Sequence, residues 1–252
     1  MDLIKDKEQF NKFIDILPDL QNDETFFISL SARNKYLTDE ERNHYGLGRT
    51  EMFGRTIVKS KENFEFAMKK LEANLKYKTT KNGLAIPEKA LVVYININPS
   101  SMIGAYRLFS QEMDKFFYDT YRASINNNDP TVNHDGFINM ERKLMNAIQK
   151  SRSRKVYIDI DMDKVGINTV NWFAMYLDNE GIKYHIIKTQ GGYHVLIKTD
   201  TIPKGFNLGA IVFDANNEVE DEGNGGEVVF NSNQMVPCVG TLMADGHLVE
   251  LF

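Results

Sequence analysis

The stretch Lys155-Val156-Tyr157-Ile158-Asp159-Ile160-Asp161-Met162-Asp163 alternates apolar and acidic residues with the period of a β-strand. On a strand, Asp159, Asp161 and Asp163 share one face, and Ile158, Ile160 and Met162 the other. Carboxylates side by side repel each other and disfavour the strand, so the pattern asks for a compensating cation. Hard divalent ions such as Mg2+ or Mn2+ take oxygen ligands, usually one or two carboxylates together with substrate phosphates. The plain alternative is an edge strand with a solvated acidic face. A D-x-D pair is short, and on these residues alone both readings stand.

Downstream, an amphipathic helix is predicted over Asn168 to Leu177, with the single tryptophan, Trp172. Lys183 to Lys188 and Tyr193 to Lys198 then flank Thr189-Gln190-Gly191-Gly192 as the two arms of a hairpin. Its register sets Lys188 opposite Tyr193. Tyr184, Ile186, Tyr193, Val195 and Ile197 then share an apolar face, and His194 falls on the other with Leu196 and His185. Gly191 and Gly192 permit close approach of a ligand to the backbone, and Lys188 and Thr189 are candidates for phosphate oxygens. His194 is the candidate functional histidine. His44, His134, His185 and His247 are read as local hydrogen-bonding residues. A third acidic cluster, Glu218 to Glu222, precedes Gly223-Asn224-Gly225-Gly226 and the strand pattern Glu227 to Phe230, and reads most simply as a solvated loop entering a strand.

Upstream, helices are predicted over Asp6 to Leu17, Asn63 to Tyr77, Ile103 to Ile125 and Met140 to Gln149, and strands over Phe26 to Leu30 and Leu91 to Ile97. Asn126 to Pro130 is the best candidate for a loop between subregions. Helices and strands alternate early and strands dominate late, which predicts an α/β or α+β fold around a mostly antiparallel sheet. The 252 residues are 42% apolar and 26% charged, in the range of globular proteins. No apolar run is long enough to cross a bilayer and no signal peptide is evident, so a cytoplasmic protein is expected. The lone Cys238 excludes a Cys-rich zinc site within the chain.

A net charge of −5 counts against a nucleic-acid partner, but it is unevenly spread. Up to Arg154 there are 24 Lys and Arg against 21 Asp and Glu; beyond it, 6 against 14, and every arginine lies in the first part. Arg33 to Lys81 alone carries 12 basic and 7 acidic residues. One part could face phosphates while the other holds metal ions; the alternative is unequal scatter of solvated charge.

In this order, three of these segments resemble the catalytic core of the archaeo-eukaryotic primase superfamily, in its primase-polymerase branch of phages and plasmids. Ile158-Asp159-Ile160-Asp161 is similar to the D-x-D motif of that family. Thr189-Gln190-Gly191-Gly192-Tyr193-His194 is similar to its Gly/Ser-x-His strand, and Glu220 ahead of Gly225-Gly226-Glu227-Val228-Val229 to its third acidic motif. Val93 to Pro99, ending in Asn98-Pro99, and Pro237-Cys238-Val239-Gly240-Thr241-Leu242 are weaker echoes. The likeness covers roughly Leu91 to the C-terminus and leaves residues 1–90 unassigned within a single domain, 1–252. A glutamate stands where the third motif usually has aspartate, leaving Asp214, Glu218 and Asp221 as rivals to Glu220. The zinc-binding stem of many relatives is absent.

The resemblance implies a mostly antiparallel sheet with an RRM-like half flanked by helices, and a DNA primase or polymerase acting by two-metal nucleotidyl transfer in phage or plasmid replication. It implies Asp159, Asp161 and Glu220 as ligands of Mg2+ or Mn2+. His194 would bind the triphosphate of an NTP or dNTP, with Lys188, Thr189, Gly191 and Gly192 beside it. Single-stranded DNA template is the implied partner, with a replicative helicase supplied in trans. Arg33, Lys35, Arg49, Arg55 and Lys59 are candidates for the template backbone on charge clustering alone. The same hard-metal logic serves a metal-dependent phosphodiesterase or nuclease, and a non-catalytic nucleotide-binding module with this fold is the third alternative.

Overall fold

The computed structural model describes residues 2–127, 139–222, 225–231, 235–243 and 246–252, without the side chains of 123, 124, 126, 127 and 220–222. Helix α1 (Lys7–Ile16) starts where the Asp6 carboxylate accepts from the Gln9 N–H at 3.0 Å, and it buries Phe10, Phe13 and Ile14. Strand β1 (Glu24–Arg33) is buried along nearly its whole length. A short helix α2 (Asp39–Tyr45), held by a Thr38–Glu41 capping box, leads to β2 (Thr50–Val58), then α3 (Phe64–Leu75) and β3 (Leu91–Asn96). The small β4 (Ser100–Ser101), the long α4 (Met102–Asn127) and α5 (Met140–Lys150) follow. The acidic stretch forms β5 (Tyr157–Asp163), followed by α6 (Ile167–Asn179), β6 (Tyr184–Lys188), β7 (Gly192–Lys198) and α7 (Leu208–Glu222). The chain closes with β8 (Glu227–Phe230), β9 (Met235–Pro237), β10 (Leu242–Met243), β11 (His247–Leu248) and β12 (Glu250–Leu251).

Two five-stranded antiparallel sheets and a small β10-β11 pair result, with seven α-helices among the described residues. The first has the order β2-β1-β3-β9, with β4 paired to the start of β1. The second has the order β12-β6-β7-β5-β8. Within it, β5-α6-β6-β7-α7-β8 is a split βαββαβ unit with β5 and β7 at its centre. The mixed α/β class and the antiparallel pairing agree with the sequence patterns. Lys188 pairs with Tyr193 and His185 with Leu196, the expected hairpin register. The candidate junction at Asn126 to Pro130 falls largely outside the described residues, as does His134.

Residues 1–90 supply two strands of the first sheet and share one hydrophobic core with the C-terminal part. Phe10, Phe13, Phe26, Met68 and Leu71 pack in the same cluster as Val236, Cys238, Val239 and Val249. Gly240 seals that contact. Its carbonyl accepts from the Lys5 and Asp6 N–H groups, its φ is +79°, and a Cβ there would lie 2.4 Å from the Asp6 carbonyl oxygen. The Pro237-to-Leu242 motif is therefore a joint of the fold.

Among the elements longer than three residues, three went unanticipated: α2, β2 and α7. In β2 the polar run around Arg55 hides the buried Phe53, Thr56 and Val58. In α7 the acidic Glu218 to Glu222 masks a helical period, Ile211, Val212, Ala215 and Val219, all buried. The helix opens with the Asn207 side chain accepting from the Ala210 N–H at 3.2 Å, and Asn216 bonds both the N–H and the carbonyl of Val228, so α7 is tied to the rim of β8.

Two polar devices join the sheets. Asn98 is buried and accepts from the Val156 and Tyr157 N–H groups at 2.6 and 2.8 Å while donating to the Tyr157 carbonyl at 2.9 Å. It pins the start of β5 to the end of β3, which gives the Asn98-Pro99 motif a positioning role. Glu24, its side chain fully buried, accepts from Arg154 Nε and Nη2 at 3.0 and 3.1 Å and from the Gln21 N–H at 2.8 Å. Burial opposes the Glu24 charge, but these bonds together hold its carboxyl below the usual carboxylate range. Glu24→Gln is expected to cost about 2–3 kcal/mol in denaturant melts near neutral pH. Because the folded value is depressed, that stability is present above the ordinary value of about 4.5 and lost as pH falls through the folded value; the gap between the two proteins should close in acid.

Candidate active site

The two faces of β5 divide as the alternation requires. Ile160 and Met162 are buried under α6 and α7 with Val170, Phe173, Leu177, Ile211 and Val219. Asp159, Asp161 and Asp163 occupy the opposite face, turned toward the first sheet. Tyr157 and Leu196 on that face join the first sheet's core, closing the two sheets at one end. At the other end they part around a cleft of about 410 Å3, whose lining includes Asp161, Asp163 and His194 from one side and Ser29, Ser31, Arg33, Lys35 and Tyr94 from the other. The serines and Arg33 are alternate residues of β1, whose intervening Phe26, Ile28, Leu30 and Ala32 fill the core beneath.

His194 pairs across the ladder with Asp161, yet its Nδ1 meets the carboxylate of the diagonal Asp159 at 3.1 and 3.3 Å. Asp159 is buried and also accepts from Asn231 Nδ2 at 2.6 Å. The Nε2 of His194 lies 3.9 Å from Asp161 Oδ1. Burial alone would lower the imidazole, but Asp159, by charge and hydrogen bond, and then Asp161 and Asp163 hold it above its usual range, toward imidazolium. The Asp161 carboxyl is pushed up, first by desolvation and then by repulsion from Asp159 and Asp163; His194 and Lys35 pull the other way. Across the cleft Arg33 donates to the Tyr94 hydroxyl at 2.8 Å, which steadies the guanidinium.

The site thus concentrates carboxylates facing cations. Among the described residues no group of three or more His, Cys, Asp or Glu side chains is placed to hold a metal ion. Asp161 and Asp163 both line the cleft and repel each other, a donor pair that suits a hard divalent ion sharing its shell with substrate phosphates. Asp159 differs: it is buried beneath the cleft and its oxygens are bonded to His194 and Asn231, so it orients the histidine.

The other sequence candidates divide. Thr189 and Gly191 line the cleft, and Thr189 is fixed by bonding the Gly192 carbonyl. Gly192, with φ +153°, is required by the fold, since a Cβ there would stand 1.9 Å from the Met162 carbonyl oxygen. Lys188 pairs with Tyr193 and so shares the face away from His194, exposed at the end of β6; a phosphate bound at His194 lies on the far side of the sheet from it. Glu220 lies on α7, a helix and not a loop entering a strand, and that helix packs on the Ile160 and Met162 face, behind the aspartates. Its side chain and that of Asp221 lie outside the described residues; Asp214 and Glu218 are exposed on the same helix. Arg33 and Lys35 enter the cleft, Arg55 lines an adjoining groove, and Arg49 and Lys59 are exposed outside both.

Asn231 is the residue that sequence reasoning missed. It follows β8, where the Asn231 N–H donates to the Asp159 carbonyl at 2.9 Å, so its side chain arrives beside Asp159. Extending the Glu227-to-Phe230 strand by one residue reaches Asn231, but the pairing of that strand with β5 is not written in the local sequence. Tyr94 sat within a quoted motif but carried no chemical signal of its own. No protein-family model matches the chain, and neither a curated protein nor a solved structure is significantly similar to it.

Proposed function

We propose that the protein is a nucleotidyltransferase of the primase-polymerase kind, which starts or lengthens primers on a DNA template in phage or plasmid replication. The observation that carries this reading is the cleft itself: Asp161, Asp163 and a carboxylate-anchored His194 on an open βαββαβ face, opposed by Arg33 and Lys35. Asp161 and Asp163 would hold Mg2+ or Mn2+, which when bound offsets the charge of the reacting phosphates. With Nδ1 engaged by Asp159, His194 keeps Nε2 for the cleft and, as imidazolium, donates to a phosphate oxygen. Arg33 and Lys35 attract the triphosphate from the opposite wall and compensate charge as pyrophosphate leaves. The archaeo-eukaryotic primase resemblance supports the same reading, with Asp161 kept as an ion ligand and Asp163 taking the place of Asp159 and Glu220.

A second reading has one observation in its favour. Asn231, a neutral amide, is what bonds Asp159, and no third carboxylate joins Asp161 and Asp163 among the described residues, which suits a module that binds nucleotides without reacting them. Incubation with single-stranded template, Mn2+ and labelled nucleotides, with and without primer, separates the two. Nucleotide-dependent lengthening is the expected result. Nucleotide binding without lengthening establishes the binding module, and shortening without nucleotides establishes a nuclease; either outcome overturns the proposal.

A further inference from the structure

Beside the cleft runs a second groove of about 620 Å3, lined by Thr50, Met52, Phe53, Gly54, Arg55, Arg142 and Asn146. It lies between β2 and the first turns of α5, and it shares Thr50 and Met52 with the cleft, so the two are continuous. Arg55 is half-buried and its Nη1 donates to Asn146 Oδ1 at 2.7 Å, which aims the guanidinium along α5. Arg142, on the same helix, stands close enough to oppose the Arg55 charge, and Glu141 only partly offsets it. Among the described residues neither arginine forms an ion pair with a carboxylate. Two guanidiniums brought together on a rigid strand and helix, one desolvated and held by a neutral amide, are arranged for an anion supplied from outside.

We propose that this groove holds the sugar–phosphate backbone of a single nucleic-acid strand leading to or from the cleft, with Arg55 and Arg142 clasping one phosphate. From Thr50 to Arg55 the strand spans roughly 16 Å, more than a lone phosphate fills. The exposed Met52, at the shared border, offers an apolar surface for a base or sugar. The assignment rests on the nucleic-acid reading of the cleft and adds a path to it: the bound nucleic-acid strand passes the Thr50 end of β2.

Fluorescence anisotropy with a labelled single-stranded oligonucleotide, without metal or nucleotides and over a range of salt, tests this separately from catalysis. Arg142→Ala, at an exposed helix position, is expected to weaken binding roughly tenfold, as loss of one charge-assisted contact does. The slope of log affinity against log salt should fall by about 0.7, the share of one phosphate on a single strand. Arg142→Lys, which keeps the charge, should restore the slope. If Arg142→Ala and Arg142→Glu both leave affinity and slope at wild-type values, the groove assignment is overturned, whether or not the protein lengthens primers. If binding depends on Arg142 but no lengthening occurs, the groove stands and the polymerase reading falls.

Discussion

Asp161→Asn protein is expected to lose nucleotide-dependent primer lengthening by on the order of 10²–10³-fold or more while melting at or above the wild-type midpoint. The two outcomes share one cause. Asp161 is kept in a partly desolvated cleft beside Asp159 and Asp163, an arrangement that disfavours its ionised form. In the metal-free protein the amide relieves that repulsion, so folding does not suffer. With metal and nucleotide present the same amide would supply no charge, and an ion held as proposed by Asp161 and Asp163 would lose one carboxylate. Lengthening assays and thermal melts on one preparation give both readouts. Undiminished activity would remove Asp161 from the reaction, and a midpoint lowered by several degrees would refute the repulsion argument.

Asp159→Ala has the opposite signature, with stability failing first. Its carboxylate is fully buried and holds both His194 Nδ1 and Asn231 Nδ2, so truncation strands the buried imidazole nitrogen and removes a bond to the half-buried Asn231. About 3 kcal/mol should be lost, a fall of roughly 6–12 °C in the melting midpoint for a chain of this size. The loss depends on pH with a definite sign. His194 titrates above its usual 6.5 in the folded protein, so its charged pairing contributes fully below that value and fades as pH rises through the folded one. The gap between wild type and Asp159→Ala should therefore be widest below pH 6.5 and narrow above it. A gap that is constant with pH would mean His194 is neutral and the pair is an ordinary hydrogen bond. Asp159→Asn, which preserves shape without charge, is expected to recover part of the stability and none of the pH dependence.

What could be read beforehand follows from how local each cause is. The alternation in Tyr157 to Asp163 places three carboxylates on one face because side chains on a strand alternate whatever surrounds them. The same rule, with a glycine turn, determined that His194 faces away from Tyr193, and by that register Lys188 belongs with Tyr193 on the opposite face. α7 was obscured because its acidic run outweighs, in the sequence, a sparse apolar stripe; Asp214 and Glu218 are exposed on that helix. Glu220 went with it to the back of the sheet. The partner of Asp159 was not legible, since Asn231 reaches it through the pairing of β8 with β5, 72 positions apart in the chain.

By itself, then, the amino-acid order determined most of the longer elements, the face on which Asp159, Asp161, Asp163 and His194 lie, and the separation of basic from acidic residues along the chain. Only the tertiary structure decided which of those carboxylates line the cleft. Packing the βαββαβ sheet against the first sheet buries Asp159 under His194 and Asn231, leaves Asp161 and Asp163 at the cleft, and brings Arg33 and Lys35 opposite them. Strand periodicity is a property of neighbouring bonds. Burial, and the meeting of opposite charges across a cleft, belong to the pairing of segments far apart in the chain: 35 and 72 positions for the partners of Asp159, more than a hundred for the arginine and lysine opposite Asp161.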